Sequence, residues 1–479
     1  MDNPILSQVL DTDSYKFSHW KQYPEGTTAM SSYFESRGGK YTGTVFFGLQ
    51  YYLKRFLSKP ITHGQINEAS MFAQLHGEPF NREGWEYILE KYEGYMPVTI
   101  RAIPEGTMVP TNNILMDVTC EDPKCFWVVS WLETQLVRLW YPITVATQSW
   151  HMKQSILRSL ERTADDPAGE IAFKLHDFGA RGVTCQEQAM IGGAAHLVNF
   201  MGSDTVAGIW MANKYYNEDM AAFSIPAAEH STMTMRGRGG ELQQCRNMIE
   251  KYGQTEGGLY AVVSDSYDLW NCIDNIWCGE LKDEVLRAPA TLVVRPDSGD
   301  PVEIVPEVLR RLEAGFGSSV NTKGFKVLNK VKVIQGDGID PDMIQEILFV
   351  IEKAGFSATN LAFGSGGGLL QKDINRDTQK FAFKCSWAKI DGKDFDVYKD
   401  PVTDKGKRSK KGRLDIVRHG KGVRTVATNG FKKPGSIMRL VYDHGQIKVE
   451  DTLTAIRIRA NDGLIPQDGS WNDRDIVLS

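Results

Sequence analysis

His230 follows Glu229, and further along the chain comes the acidic turn Ser264-Asp265-Ser266. An imidazole with carboxylates near it can act as a general base or a nucleophile, although a lone histidine more often has a structural role. Arg295-Pro296-Asp297-Ser298-Gly299 sets a guanidinium, which pairs with phosphates bidentately, close to a carboxylate suited to ribose hydroxyls or a magnesium ion. An Arg-Asp pair bracing a turn is the plain alternative. Gly364-Ser365-Gly366-Gly367-Gly368 lets backbone N–H groups converge on a phosphate, and it equally suits a simple turn. Phe178, in His176-Asp177-Phe178-Gly179-Ala180-Arg181, is either a packing residue or a stacking surface, and Asp204 is either a helix N-cap or a ligand-facing acid. Arg181, Arg295, Asp297, Asp265, His230, the glycine run and Asp337 of Gln335-Gly336-Asp337-Gly338 combine cations, carboxylates and glycines. That combination suits a phosphorylated sugar carrying magnesium-bound diphosphate. Neither the Rossmann fingerprint nor the P-loop pattern occurs, which counts against those nucleotide-binding classes.

These clusters share one setting. Each ends a short apolar run, at residues 171–175, 221–225, 259–263, 291–294, 331–334 and 360–363. Such runs bounded by turn residues predict buried strands. Between them lie helical segments; in 340–355, Asp340 is placed as N-cap, Pro341 at the first helical position, Ile344, Ile347, Leu348 and Ile351 on one face, and Gly355 at the end. A second helix is expected over 205–216. Strand starts roughly 30 to 50 residues apart predict parallel βα units in a barrel or doubly wound sheet, where ligands meet the C-terminal strand ends.

The chain has 479 residues, which predicts more than one core. Residues 1–150 are aromatic-rich and mixed α and β, and residues 385–479 are β-like and polar, with a basic loop at 405–413. The two ends are expected to form one α+β domain around a barrel domain at 151–384. A net charge of -5 argues against nucleic-acid binding. No run of about 18 apolar residues occurs and no signal peptide is visible, so a cytoplasmic location without membrane attachment is expected. Seven scattered cysteines with no C-x-x-C spacing predict reduced thiols, and no metal site made by protein side chains alone is expected.

Longer blocks carry a resemblance. They include Thr12-Asp13-Ser14-Tyr15-Lys16, Tyr33-Phe34-Glu35-Ser36-Arg37, Tyr141-Pro142-Ile143-Thr144-Val145-Ala146-Thr147, Lys174-Leu175-His176-Asp177-Phe178-Gly179, Ser224-Ile225-Pro226-Ala227-Ala228-Glu229-His230-Ser231 and Lys407-Arg408-Ser409-Lys410-Lys411-Gly412-Arg413-Leu414. In this order, and over nearly the whole chain, they resemble the nicotinamide phosphoribosyltransferase family. The resemblance implies an α/β fold, the irregular (β/α) barrel of type II phosphoribosyltransferases with a second α+β domain, working as a homodimer. It implies that nicotinamide and phosphoribosyl pyrophosphate are the substrates, with Mg2+ carried on the diphosphate and ATP as phosphoryl donor to His230. Phe178 and, from the other subunit, Tyr15 would clamp the pyridine ring, with Asp204 on the carboxamide and Arg181 beside it. Arg295, Asp297, Gly336, Asp337, Gly366, Gly367 and Arg376 would hold ribose, phosphate and diphosphate, with Arg37, Lys384 and Lys407 as further anion contacts. Glu229, Asp265 and Asp297 would accompany His230 in the catalytic group. A nicotinate phosphoribosyltransferase is the nearest alternative.

Overall fold

The computed structural model describes residues 6–403, 408–420 and 422–462. The chain divides into two compact units. One is built from the chain up to Thr147, Lys214–Glu218 and the chain from Ile374; the other from Gln148–Asn213 and Asp219–Asp373.

The second unit contains a six-stranded parallel sheet. Its strands are β1 (Leu175–Asp177), β2 (Gly202–Ser203), β3 (Leu259–Val263), β4 (Thr291–Arg295), β5 (Val331–Gln335) and β6 (Leu361–Ser365), in the order β2-β1-β6-β5-β4-β3. Residues 223–227 reach both edges: Phe223 bridges Gly202 of β2, and Ala227 bridges Ala261 of β3. The sheet thus curls into an irregular barrel. Its longer strands, β3 to β6, read as largely apolar runs because both faces are covered. Ala261, Val293 and Ile334 fill its interior, with Phe178, Ile225 and Ala362 packed against them.

Helices follow the strands. We label as α1 Val206–Tyr216, as α2 the short His230–Thr234, as α3 Pro301–Phe316 and as α4 Pro341–Lys353. In α4 the Asp340 carboxylate accepts hydrogen bonds from the backbone N–H of Asp342 (3.1 Å) and Met343 (3.0 Å). Proline occupies the first turn, and Ile344, Ile347, Leu348 and Ile351 are buried. Each such side chain contributes roughly 1.5–3 kcal/mol by leaving water. In α3, Asp300 caps in the same way, and Val305, Val308, Leu309, Leu312 and Phe316 form the covered face.

Three expectations need correction. Residues 221–225 make a single isolated bridge, at Phe223; Pro226 has no N–H to continue a ladder, and Phe223 and Ser224 are exposed. The sheet takes in Gly202–Ser203 instead, a strand too short to show as an apolar run. The first expected strand lies later than residues 171–175: Pro167–Ile171 is helical and β1 carries His176 and Asp177.

The first unit holds a seven-stranded sheet in the order Lys393–Asp396, Phe381–Ile390, Thr27–Ser36, Ile114–Cys120, Thr99–Ala102, Arg439–Asp443, Gln446–Ile447, all antiparallel. Both chain ends contribute. The unit boundary lies after Asp373 rather than after Lys384, because Phe381–Ile390 pairs along its length with Thr27–Ser36 and cannot be cut there.

Candidate active site

The C-terminal ends of β1 to β6 collect most of the residues singled out above. His230, half exposed, opens α2. Its Nδ1 lies 3.2 Å from Ser266 Oγ and its Nε2 3.2 Å from Asp297 Oδ2, with Asp265 Oδ1 at 3.9 Å. The ends of β3 and β4 therefore converge on one imidazole, which opens α2. Arg295 Nη2 donates to the same Asp297 oxygen at 3.0 Å. Asp265 Oδ2 accepts from Asp297 N (3.1 Å) and from Ser298 Oγ (2.5 Å).

Two atoms here are buried without a hydrogen-bond partner among the described residues: Asp265 Oδ1 and Arg295 Nε. A buried anionic oxygen and a buried cationic N–H, both unsatisfied, are costly unless something else completes them. They suit a ligand carrying both signs, such as a metal-bearing diphosphate. Glu229 is not drawn to the imidazole; its carboxylate accepts from Ser231 Oγ and caps α2.

Phe178 forms the other side of the arrangement. Its N–H donates to Ser365 O at 2.9 Å, and its ring lies against Gly336 and Gly364. A Cβ on Gly364 would fall 1.9 Å from Phe178 Cε2, so only glycine admits the ring there. Asp204 follows β2; its carboxylate accepts from Ser224 Oγ at 2.5 Å, and its N–H donates to Asp177 O at 3.0 Å. The expected N-cap duty falls in part to Ser203, whose Oγ accepts from Thr205 N. Arg181 is exposed on the same loop as Phe178.

After β6 the chain turns at Gly366 and Gly367. A Cβ at either would meet only ordinary contacts, so packing does not demand glycine at these positions. Neither N–H has a hydrogen-bond acceptor among the described residues. Both properties fit close approach of an anion. Gly336 and the exposed Asp337 follow β5, and Gln335 Nε2 donates to Asp337 O at 2.9 Å.

The remaining expected residues belong to the other unit. Tyr15 is 55 % exposed on the 3₁₀ segment Ser14–Lys21. Arg37 pairs with the buried Glu35 at 2.8 Å and keeps a buried, unpartnered Nη2. Burial lowers the Lys384 pKa; Glu133 opposes the shift, and the cations Arg37, Lys16 and Arg376 add to it. Four positive groups thus share one neighbourhood, with Arg376 exposed. Lys407 lies outside the described residues.

Sequence reasoning missed Ser266, Ser298 and Ser224. The first two directly follow acids already singled out, so adjacency was the available signal. Ser224 had none beyond its place in a longer block.

Residues 173–443 match the family model described as the nicotinate phosphoribosyltransferase (NAPRTase) family, and residues 7–100 match the nicotinamide phosphoribosyltransferase N-terminal domain. A nicotinamide phosphoribosyltransferase of Xanthomonas campestris is 50% identical over 460 residues, 95% of this chain and 98% of that one. The chain belongs to the nicotinamide phosphoribosyltransferase family. As a phosphoribosyltransferase it has more distant relatives of the same name in Acinetobacter baylyi, 31% identical over 93% of this chain and 95% of that one, and in Mycoplasma pneumoniae, 32% identical over 86% and 96%. The phosphoribosyltransferase also shares its fold with solved structures. Nicotinate-nucleotide pyrophosphorylase from Pyrococcus furiosus has a TM-score of 0.62 at 15% identity, covering 96% of this chain and 98% of that one. Human nicotinic acid phosphoribosyltransferase has a TM-score of 0.60 at 15% identity, covering 95% and 93%.

Proposed function

We propose that this enzyme transfers the 5-phosphoribosyl group of phosphoribosyl pyrophosphate to nicotinamide, giving nicotinamide mononucleotide and diphosphate in NAD salvage. The observation that carries the reading is the Asp204 carboxylate at the strand edge that also bears Phe178. Phe178 offers the pyridine ring a face, and Asp204 accepts the carboxamide N–H while repelling a carboxylate.

Nicotinamide is a weak nucleophile, so bond breaking at the ribosyl carbon runs ahead of attack by the ring nitrogen. The sugar gains positive charge as diphosphate departs. Fixed charges around it lower that barrier without reorganising. Arg295 and the N–H groups of Gly366 and Gly367 hold the departing anion, while Asp297 and Asp337 orient ribose. Asp265 and Asp297 would hold Mg2+ brought in on the diphosphate, which neutralises the leaving group. Stacking keeps the ring in line for attack.

His230 fits a further part. Ser266 and Asp297 orient its ring, and half of its side chain remains open to an incoming group. In this reading ATP phosphorylates His230, and the added charge helps organise magnesium and diphosphate. A second copy of the chain supplies Tyr15 as the opposite face of the ring clamp, which makes the working form a homodimer. The setting is cytoplasmic.

The test is to incubate the protein with phosphoribosyl pyrophosphate, magnesium and either nicotinamide or nicotinate, with and without ATP, and to identify the mononucleotide. Nicotinamide mononucleotide as the main product is expected. Nicotinate mononucleotide as the main product, or no product, would refute the reading.

A further inference from the structure

The last residue of β1, Asp177, is 0 % exposed, yet it stands where the ring-binding turn begins. Its Oδ1 accepts the N–H of Gly179 at 2.7 Å, across Phe178. Its carbonyl oxygen accepts the N–H of Asp204 at 3.0 Å. One residue therefore grips both the turn that carries Phe178 and the main chain that carries Asp204. Strand pairing holds it on both sides, against Ser365 of β6 and Ser203 of β2.

The choice of an acid here is costly. Oδ2 is buried and faces the equally buried Thr205 hydroxyl, the two atoms standing short of a well-formed hydrogen bond. Burial pushes the Asp177 carboxyl up to about 6, against the Gly179 N–H and the Thr205 hydroxyl, with the Asp204 charge adding to the rise. A buried, half-satisfied acid between two ligand-facing residues is the kind of local cost that collects at functional sites.

We propose that Asp177 is the positioning residue for the ring-binding end of this site: its carboxylate fixes the turn presenting Phe178, and its carbonyl fixes the main chain presenting Asp204. It touches no substrate. The inference rests on Phe178 and Asp204 being pyridine-site residues. Loss of its grip loosens base binding and leaves the phosphoribosyl end, built from β4, β5 and β6, unaffected.

The experiment compares Asp177→Ala, Asp177→Leu and Asp177→Asn with the wild type, reading kcat and separate KM values for the pyridine base and for phosphoribosyl pyrophosphate. Leucine keeps the same branched heavy-atom outline with bulkier ends and accepts no hydrogen bond, so it carries the comparison if alanine does not fold. Losing one charge-assisted hydrogen bond in a buried turn corresponds to about a tenfold change. The expected result is a base KM raised about tenfold or more in Ala and Leu, with the phosphoribosyl pyrophosphate KM within about twofold. Asparagine keeps an acceptor for Gly179 and can donate to Thr205, so it should restore the base KM to within about threefold of wild type. Equal rises in both KM values, or an Asn variant as impaired as Leu, would overturn the proposal. A wild type inactive with both bases would refute the assigned function and this inference together; an active wild type with uniform losses would refute the inference alone.

Discussion

His230 Nε2 and Arg295 Nη2 reach the same oxygen of Asp297, at 3.2 and 3.0 Å. One carboxylate thus orients the histidine and braces the arginine. Asp297→Asn keeps the shape and removes the charge that both partners answer. Removing a preorganised charge contact of this kind typically costs about two to three decades in rate. We expect kcat/KM for phosphoribosyl pyrophosphate to fall by about that much, as measured by mononucleotide formation; a loss under about threefold would mean the shared oxygen is incidental.

Incubation with γ-labelled ATP should leave acid-labile, base-stable phosphate on the wild-type protein. His230→Ala should carry none, and stimulation of product formation by ATP should vanish with it. Equal labelling of both proteins would remove His230 from that role.

Asp204→Ser should relax the choice between amide and acid. Two like charges about 4 Å apart at an effective dielectric near 20 repel by roughly 4 kcal/mol, or about three decades of discrimination. Paired kcat/KM assays on nicotinamide and nicotinate read the ratio directly. Selectivity that does not move would end the assignment.

Gly364→Ala tests the ring platform without touching a polar group. The new Cβ would overlap Phe178 Cε2, so the ring must leave its place. The base KM should rise roughly tenfold, since an aromatic stacking contact is worth about 0.5–1.5 kcal/mol and the displaced ring also blocks the pocket. Gly367→Ala, where a Cβ meets only ordinary contacts, should leave the base KM alone and instead weaken phosphoribosyl pyrophosphate. The reverse pattern would exchange the two ends of the site.

Two buried acids should make stability decline as pH rises from about 4 to 7, opposed in the upper part of that range by His176, whose pKa burial lowers. Burial raises Asp177 to about 6, and it raises Glu105 to about 7 despite hydrogen bonds from Gly48 N, Gln50 N and Tyr216 Oη. A carboxyl whose folded pKa lies above its unfolded value holds its proton more tightly when folded. Its stabilisation is complete below the unfolded pKa and is lost as pH passes the folded one. Each of these buried acids contributes about 3 kcal/mol to that swing. Lys174, lowered by burial to about 8, acts in the opposite direction only above that pH. Asp177→Asn should flatten the dependence of Tm on pH between about 4 and 6; an unchanged slope would mean Asp177 is not neutral in the folded state at low pH.

The sequence by itself determined the barrel's building units and where its polar clusters fall. Apolar strands must be bounded by turns, and the Asp340-Pro341 cap with its four-residue face is local chemistry that needs no tertiary partner. The family resemblance likewise survives in linear blocks. Folding alone decided which clusters meet. His230 opens a short helix while Ser266 and Asp297 follow two different strands, and no spacing along the chain encodes their 3.2 Å contacts. The strand Gly202–Ser203 was illegible because two residues carry no period, and residues 221–225 misled because an apolar run says nothing of a missing ladder donor. Asp177 looked like one more polar residue in a cluster. Its burial between β2 and β6 is set by sheet order, which is a property of the assembled barrel and not of any segment within it.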